Sequence, residues 1–208
     1  MTPLLIGLAG GSCAGKTTLA RLIKDRLAPI PTAIINTDRY YRPLDHLPIE
    51  KRTLENFDSP EMLERELLRS HLTLLKSGKP AGLPVYDFRL HTRSPETELI
   101  DPPPVILVEG LFVLTDPGIR PLFDLAVFVE TPSDIRLARR ILRDQAERGR
   151  TPEETIKRYF SQIRPGHENF AKPGRNNADL VVNGEEKPEE AAVLVTERIS
   201  RILAATIR

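Results

Sequence analysis

The stretch Gly10-Gly11-Ser12-Cys13-Ala14-Gly15-Lys16-Thr17 constrains this chain more than any other. It fits the pattern G-x-x-x-x-G-K-[ST], with an apolar run (Leu4 to Ala9) in front of it and a helical pattern (Lys16 to Leu27) behind. The glycines open backbone conformations in which successive N–H groups turn inward on an anion, and the helix behind presents its positive end to the same point. Such a loop cradles phosphates, with Lys16 reaching the β and γ groups and the Thr17 hydroxyl holding Mg²⁺. Residues Gly10 through Thr18 are therefore the expected nucleotide-binding segment. Cys13 is the only cysteine, so no internal disulfide and no thiolate metal cluster can form, and it reads as an incidental loop residue.

Around this loop, short apolar runs alternate with helical patterns. Leu4 to Ala9, Ala33 to Ile35, Val105 to Val108, Leu125 to Val129 and the weaker Leu180 to Val182 carry almost no charge, as strands covered on both faces should. Helical patterns cover Lys16 to Leu27, Pro60 to Lys76, Ser133 to Glu147, Pro152 to Ile163 and Pro188 to Ile207. The order predicts an α/β fold: a doubly wound, mainly parallel five-stranded sheet with helices on both faces, in a single domain over 1–208. Between Gly78 and Pro104 the pattern changes. Six prolines and the alternating core Val85-Tyr86-Asp87-Phe88 predict a β-hairpin flap outside the main sheet, with Pro at its edges.

With 40% apolar and 28% charged residues and a formal net charge of +1, the chain can build a core, and wholesale binding to nucleic acid or an anionic membrane is disfavoured. The start lacks a basic leader region, and no run approaches the roughly 20 apolar residues of a membrane span, so a soluble, cytoplasmic protein is expected.

Two acids follow strands. Asp38 comes just after the second apolar run and Glu109 just after the third. In a parallel sheet the carboxyl ends of strands share one edge with the phosphate loop, so both carboxylates should face bound phosphates. One can position Mg²⁺ and the other can accept the proton of an attacking hydroxyl. The chain has no evident N-K-x-D or strand-end D-x-x-G motif, which disfavours a GTPase.

From Ser133 to Glu147, Ile135, Ala138, Ile141 and Leu142 fall on one side of a helix, and Arg136, Arg139, Arg140 and Arg143 on another, followed by Arg148-Gly149-Arg150. Like charges at i, i+4 are unfavourable by roughly 0.2–0.5 kcal/mol on an exposed helix, so an anion should offset them. Phosphates suit guanidinium forks, and the expected device is an arginine lid over 133–150, hinged at Gly149. A solvated face relieved by Asp134, Asp144 and Glu147 is the plainer alternative.

Taken in order, GGSCAGKTT (10–18), TDRYY (37–41), NFDSP (56–60), PVYDFRLHTR (84–93), VEG (108–110), DIRLARRILRDQAERGR (134–150) and RPGHENFAKPGRNNAD (164–179) resemble the uridine kinase (uridine-cytidine kinase) family of P-loop kinases over nearly the whole chain. The resemblance implies phosphoryl transfer from ATP, with Mg²⁺, to the 5′-hydroxyl of uridine or cytidine. It makes Asp38 the general base, with Thr17 and Glu109 around the metal. Tyr86, Phe88 and His91 become the base pocket, and Asp58 and Arg140 the ribose contacts. Arg143 and Arg148 would face phosphates, and Arg150 would lie near the nucleoside. It also implies a homotetramer and feedback inhibition by CTP or UTP.

Tyr86 and Phe88, two apart on an extended segment, project from one face and are expected to flank a planar pyrimidine. A neutral His91 can meet either a carbonyl or an amine at C4 of the base, which predicts tolerance of both nucleosides. One position departs from the family: Arg158 stands before Tyr159 where a polar amide is usual, placing a fixed cation at a candidate nucleoside contact. Two other readings remain at this level, a related kinase with another small hydroxyl acceptor and a nucleotide-sensing module without turnover.

Overall fold

The structure is a computed structural model and describes residues 2–185 and 187–206. The first half runs β1 (Leu4–Gly10), α1 (Lys16–Leu27), β2 (Thr32–Asn36), α2 (Ile49–Arg52), α3 (Arg65–Lys76), β3 (Ala81–Asp87), β4 (Thr92–Ile100) and β5 (Val105–Gly110). The second half runs β6 (Leu125–Glu130), α4 (Ser133–Arg148), α5 (Pro152–Arg158), β7 (Leu180–Asn183) and α6 (Pro188–Thr206).

The charge-poor runs pair in parallel, in the order β2-β5-β1-β6-β7. Their alternating side chains fill two cores, as expected when both faces of a parallel sheet are covered. Leu4, Ile6, Leu8, Leu107 and Val127 pack against Leu19 and Ile23 of α1 and Val195 and Ile199 of α6. On the other face Leu5, Ile35, Ile106 and Phe128 meet Leu68, Leu72 and Leu75 of α3. Ile23 is fully buried, so truncating it to Ala would cost about 2–5 kcal/mol. The doubly wound fold expected from the run pattern is the one observed.

β3 and β4 form a separate two-stranded antiparallel sheet whose root, Ala81 and Leu83, joins the α3 core. Pro84 lies within β3 rather than at its edge, where a register shift between Pro84 and Tyr86 accommodates its missing N–H.

Two helical boundaries differ from expectation. The segment from Pro60 makes only a 3₁₀ turn to Met62, because Leu63 bridges to Tyr41 and the Glu64 N–H donates to the Tyr40 carbonyl; α3 begins at Arg65. Beyond α5 the chain does not leave the helix at Ile163. It continues through wide π turns (Tyr159–Ile163, His167–Ala171) around Arg164–Gly166, then a 3₁₀ run to Asn177. Pro165 breaks the normal ladder there, as wide turns in helices tolerate. The end expected for the last helix, Ile207, lies outside the described residues.

Candidate active site

At the carboxyl edge of the sheet, β1 ends in Gly10 and the chain turns through the glycine-rich loop into α1. Gly15 sits at φ +97° as the residue before the helix, a conformation closed to most side chains. Lys16 folds back over the loop, its Nζ donating to the carbonyls of Gly10 (3.0 Å) and Gly11 (2.9 Å). Burial lowers its pKa, against the fields of Glu109 and Asp38, which raise it.

Parallel registry places Asn36 of β2 beside Glu109 of β5, and Glu109 beside Leu8 of β1. Glu109, only 3% exposed, accepts at one oxygen from the Thr17 hydroxyl (2.6 Å) and the Asn36 amide (3.2 Å). Asn36 also caps the turn Thr37–Tyr40, its side-chain oxygen accepting from the Asp38 N–H (2.7 Å). That cap aims Asp38 into the same cleft. Burial raises the Asp38 pKa and the charge of Glu109 raises it further, opposed by Lys16, the Tyr41 hydroxyl and Arg148. A carboxyl so shifted is a stronger base than a free Asp. Hydroxyl and carboxylate oxygens at Thr17 and Glu109 are the hard donors Mg²⁺ takes alongside phosphates and water, so the residues present fit that ion.

The arginines of α4 divide. Arg139, Arg140 and Arg143 line the cleft with Arg148 and Arg150. Arg136 does not. It is buried behind the loop, its Nε donating to the Thr131 carbonyl (3.1 Å). The expectation of one arginine face is corrected at that position, because Arg136 lies one turn back along the helix and the loop's Gly11 stands between it and the cleft.

Arg140 donates to the Ser12 hydroxyl (2.8 Å) and lies 3.9 Å from Asp58. What holds the cluster is Asp144, 1% exposed, with Arg143 at 2.6 Å, Arg150 at 3.2 Å, Arg140 at 3.5 Å and Arg148 at 3.6 Å. Burial works to raise its pKa, but Arg140, Arg143 and Arg148 outweigh burial and hold it below the usual value. The sequence offered Asp144 only as relief for a solvated face. Its spacings to Arg140 and Arg148 are the i, i+4 signal that could have marked it as a hub.

The far end of the cleft is aromatic. Tyr86 meets Phe88 edge-on, with centroids 5.1 Å apart at 70°, and also packs on Tyr41 at 5.6 Å. A base held between two rings needs about 7 Å, two contact distances. The pair therefore offers an edge and a face rather than a slot, and the expected flanking is corrected. His91 lies 5.8 Å from Phe57 at a tilt of 30°, so Phe57, absent from the sequence reading, is the ring beside it. Burial lowers the His91 pKa, and Arg150, Arg148, Arg158 and Arg52 lower it further, so the imidazole is neutral at pH 7.

Arg158 lines the cleft, but both its terminal nitrogens are taken by backbone carbonyls, Thr53 at 2.6 Å and Glu55 at 3.2 Å. It therefore ties down the loop that carries Phe57 and Asp58. The whole cleft encloses about 560 Å³ and runs from Gly15, Lys16 and Thr18 at the loop to Phe88 and His91 at the hairpin. Gly10, Gly11 and Ala14 form the back of the loop, and Cys13 lies on the cleft side at φ +62°.

The profile of the Phosphoribulokinase / Uridine kinase family matches residues 5–191. The chain belongs to this family. Its relatives include the uridine kinase of Chloroflexus aurantiacus, 42% identical over 204 residues and covering 98% of each chain, and that of Alkaliphilus metalliredigens, 41% identical over 180 residues and covering 86% of each. Among solved structures the fold is similar to phosphoribulokinase from Rhodobacter spheroides (TM-score 0.65, 17% identity, 90% of this chain and 74% of that one). It is also similar to D-glycerate 3-kinase from Cryptococcus neoformans (TM-score 0.64, 18% identity, 88% and 87%). Among the described residues no helix is long and apolar enough to cross a membrane.

Proposed function

We propose that this family member is a nucleoside kinase that transfers the γ-phosphoryl group of ATP to the 5′-hydroxyl of uridine or cytidine, giving UMP or CMP. Relatives of nearly the same length named uridine kinase support the reading. The observation that carries it is the place of Asp38, within electrostatic reach of Lys16 at the phosphate loop and of Tyr86 at the aromatic end.

In this reading Asp38 accepts the proton of the 5′-hydroxyl as its oxygen bonds to the γ-phosphorus and the bond to the β-phosphate oxygen breaks, leaving ADP. Lys16, Arg143 and Arg148 stabilise the charge on the moving phosphoryl group, the arginines without reorganising because Asp144 already holds them. Thr17 and Glu109, with Asp38 close by, would hold Mg²⁺, which would neutralise phosphate charge when bound. Asp58 and Arg140 take the ribose hydroxyls. Tyr86, Phe88 and His91 take the base with Phe57, and Arg150 lies beside the nucleoside. The hairpin over 78–104 acts as the nucleoside flap and 133–150 as the lid.

The same reading makes the enzyme a cytoplasmic homotetramer in pyrimidine salvage, and sedimentation checks the assembly. Coupled ADP release with Mg-ATP, measured across uridine, cytidine, adenosine, thymidine and non-nucleoside acceptors at two concentrations, tests the reaction. Turnover confined to uridine and cytidine is expected; none with either would remove the acceptor assignment.

A further inference from the structure

A second cavity, of about 640 Å³, opens behind the phosphate loop, over the carboxyl ends of β6 and β7. Arg136 lies in its wall and is only 5% exposed. Its Nε is bound to the Thr131 carbonyl, and its terminal nitrogens are open to the cavity. Beside it the buried Nδ1 of His167 has no hydrogen-bond partner among the described residues. Both groups crowd Gly11: a Cβ there would stand 2.5 Å from Arg136 Nη1 and 3.0 Å from His167 Nδ1.

A guanidinium whose stem is buried and whose terminal donors open on a cavity is placed to take an acceptor there. The long helix α4 starts at the same cavity with no side-chain cap, and Ser133 of its first turn is part of the wall. That adds backbone N–H groups and the positive end of a helix to the same point. Two of the carboxylates around it are already neutralised, Glu168 by Lys172 at 2.6 Å and Glu130 by Arg175 at 2.8 Å. Glu185 is the remaining one in the wall.

We propose that this cavity is a second oxyanion site, separate from the catalytic cleft, that takes a phosphate group on Arg136, His167 and the first turn of α4. The phosphate is a free ion or the end of a small phosphorylated metabolite. Guanidinium forks, a neutral imidazole donor and an uncapped helix start are together the donor set for such a tetrahedral anion.

The test must keep the phosphate loop filled, since inorganic phosphate also suits that loop. The enzyme is saturated with Mg²⁺ and a non-hydrolysable ATP analogue, whose own titration reports separately on the loop, and inorganic phosphate is then titrated by calorimetry. One phosphate per chain is expected. Arg136→Met should weaken it at least tenfold, and Glu185→Gln should tighten it severalfold, an opposite change that misfolding cannot mimic. Ribose 5-phosphate in a parallel titration separates the two sources: tighter binding than phosphate assigns the rest of the cavity to a carrier, and equal binding assigns the free ion. No heat with the loop filled, or heat unchanged in both variants, overturns the proposal.

Discussion

Asp144 receives Arg150 twice: its carbonyl accepts from the Arg150 N–H at 3.1 Å, and its carboxylate accepts from the Arg150 guanidinium at 3.2 Å. The left-handed Gly149, φ +63°, brings the chain back on itself so that both contacts form. Arg150, whose charge acts on His91, is thereby fixed by the same carboxylate that fixes Arg143. Asp144→Asn keeps the shape and removes the charge. It should cost about 1–3 kcal/mol in chemical denaturation, the range for a buried charged hydrogen-bond acceptor. A further loss of about 1.4 kcal/mol at the phosphates would raise KM for ATP about tenfold. An unchanged KM with unchanged stability would remove the hub.

Asp38→Asn separates catalysis from stability. Removing the base should cut kcat at least a hundredfold while nucleotide binding persists; retention of more than about a tenth of kcat would exclude the base role. The native carboxyl holds its proton more tightly than the unfolded chain, whose value is 3.8. Above that pH the native protein therefore holds more protons than the unfolded chain, stability falls as pH rises through the native pKa, and the ionised Asp38 subtracts stability at neutral pH. The Asn variant should melt higher than wild type at pH 7, and the difference should vanish near pH 3. The acid limb of the wild-type kcat profile should lie above the range of an exposed Asp, for the same reason.

What was legible in the sequence was contiguous. The phosphate loop is one run of backbone, and each sheet strand is one uncharged apolar run, so a few neighbouring residues suffice to read them. Asp38 and Glu109 were legible at one remove, because parallel strands put their ends on one edge. The rest depends on contacts between distant segments. Phe57 meets His91 across 34 positions, and Arg158 reaches Thr53 across 105. Arg136 shares the pattern of its neighbours yet is turned to a different cavity. Helical spacing tells which residues share a face, not what that face is packed against.

His91 supplies a binding prediction with a flat pH response. Its pKa is pushed below 6.5 by burial and by the surrounding arginines, so the imidazole stays neutral above that pH. KM for uridine should be constant above about pH 7.5 as far as this residue controls it, since the imidazole is then predominantly neutral. His91→Ala should raise that KM about tenfold or more, the loss expected for one well-made hydrogen bond in a half-buried site. kcat should fall less. An unchanged KM would move the base away from the hairpin.

Gly166 tests whether the wide-turned helix positions Asp58, the proposed ribose contact. A Cβ built there would lie 2.5 Å from the Asp58 carbonyl oxygen and 3.1 Å from the Asp58 Cβ, a contact with backbone that a rotamer change cannot relieve. The helix can approach the Asp58 loop this closely only without a side chain at 166. Gly166→Ala must therefore push Asp58 away, and with it the carboxylate now 3.9 Å from Arg140. Overpacking of this kind costs about 1–3 kcal/mol. The phosphate loop is not among the atoms displaced, so KM for the nucleoside should rise severalfold while the affinity for an ATP analogue holds. Gly82→Ala is the control, since its Cβ would meet only Thr97 at 3.7 Å and should change neither value. If nucleoside and nucleotide binding weaken together in Gly166→Ala, the helix supports the cleft as a whole and does not place Asp58 in particular.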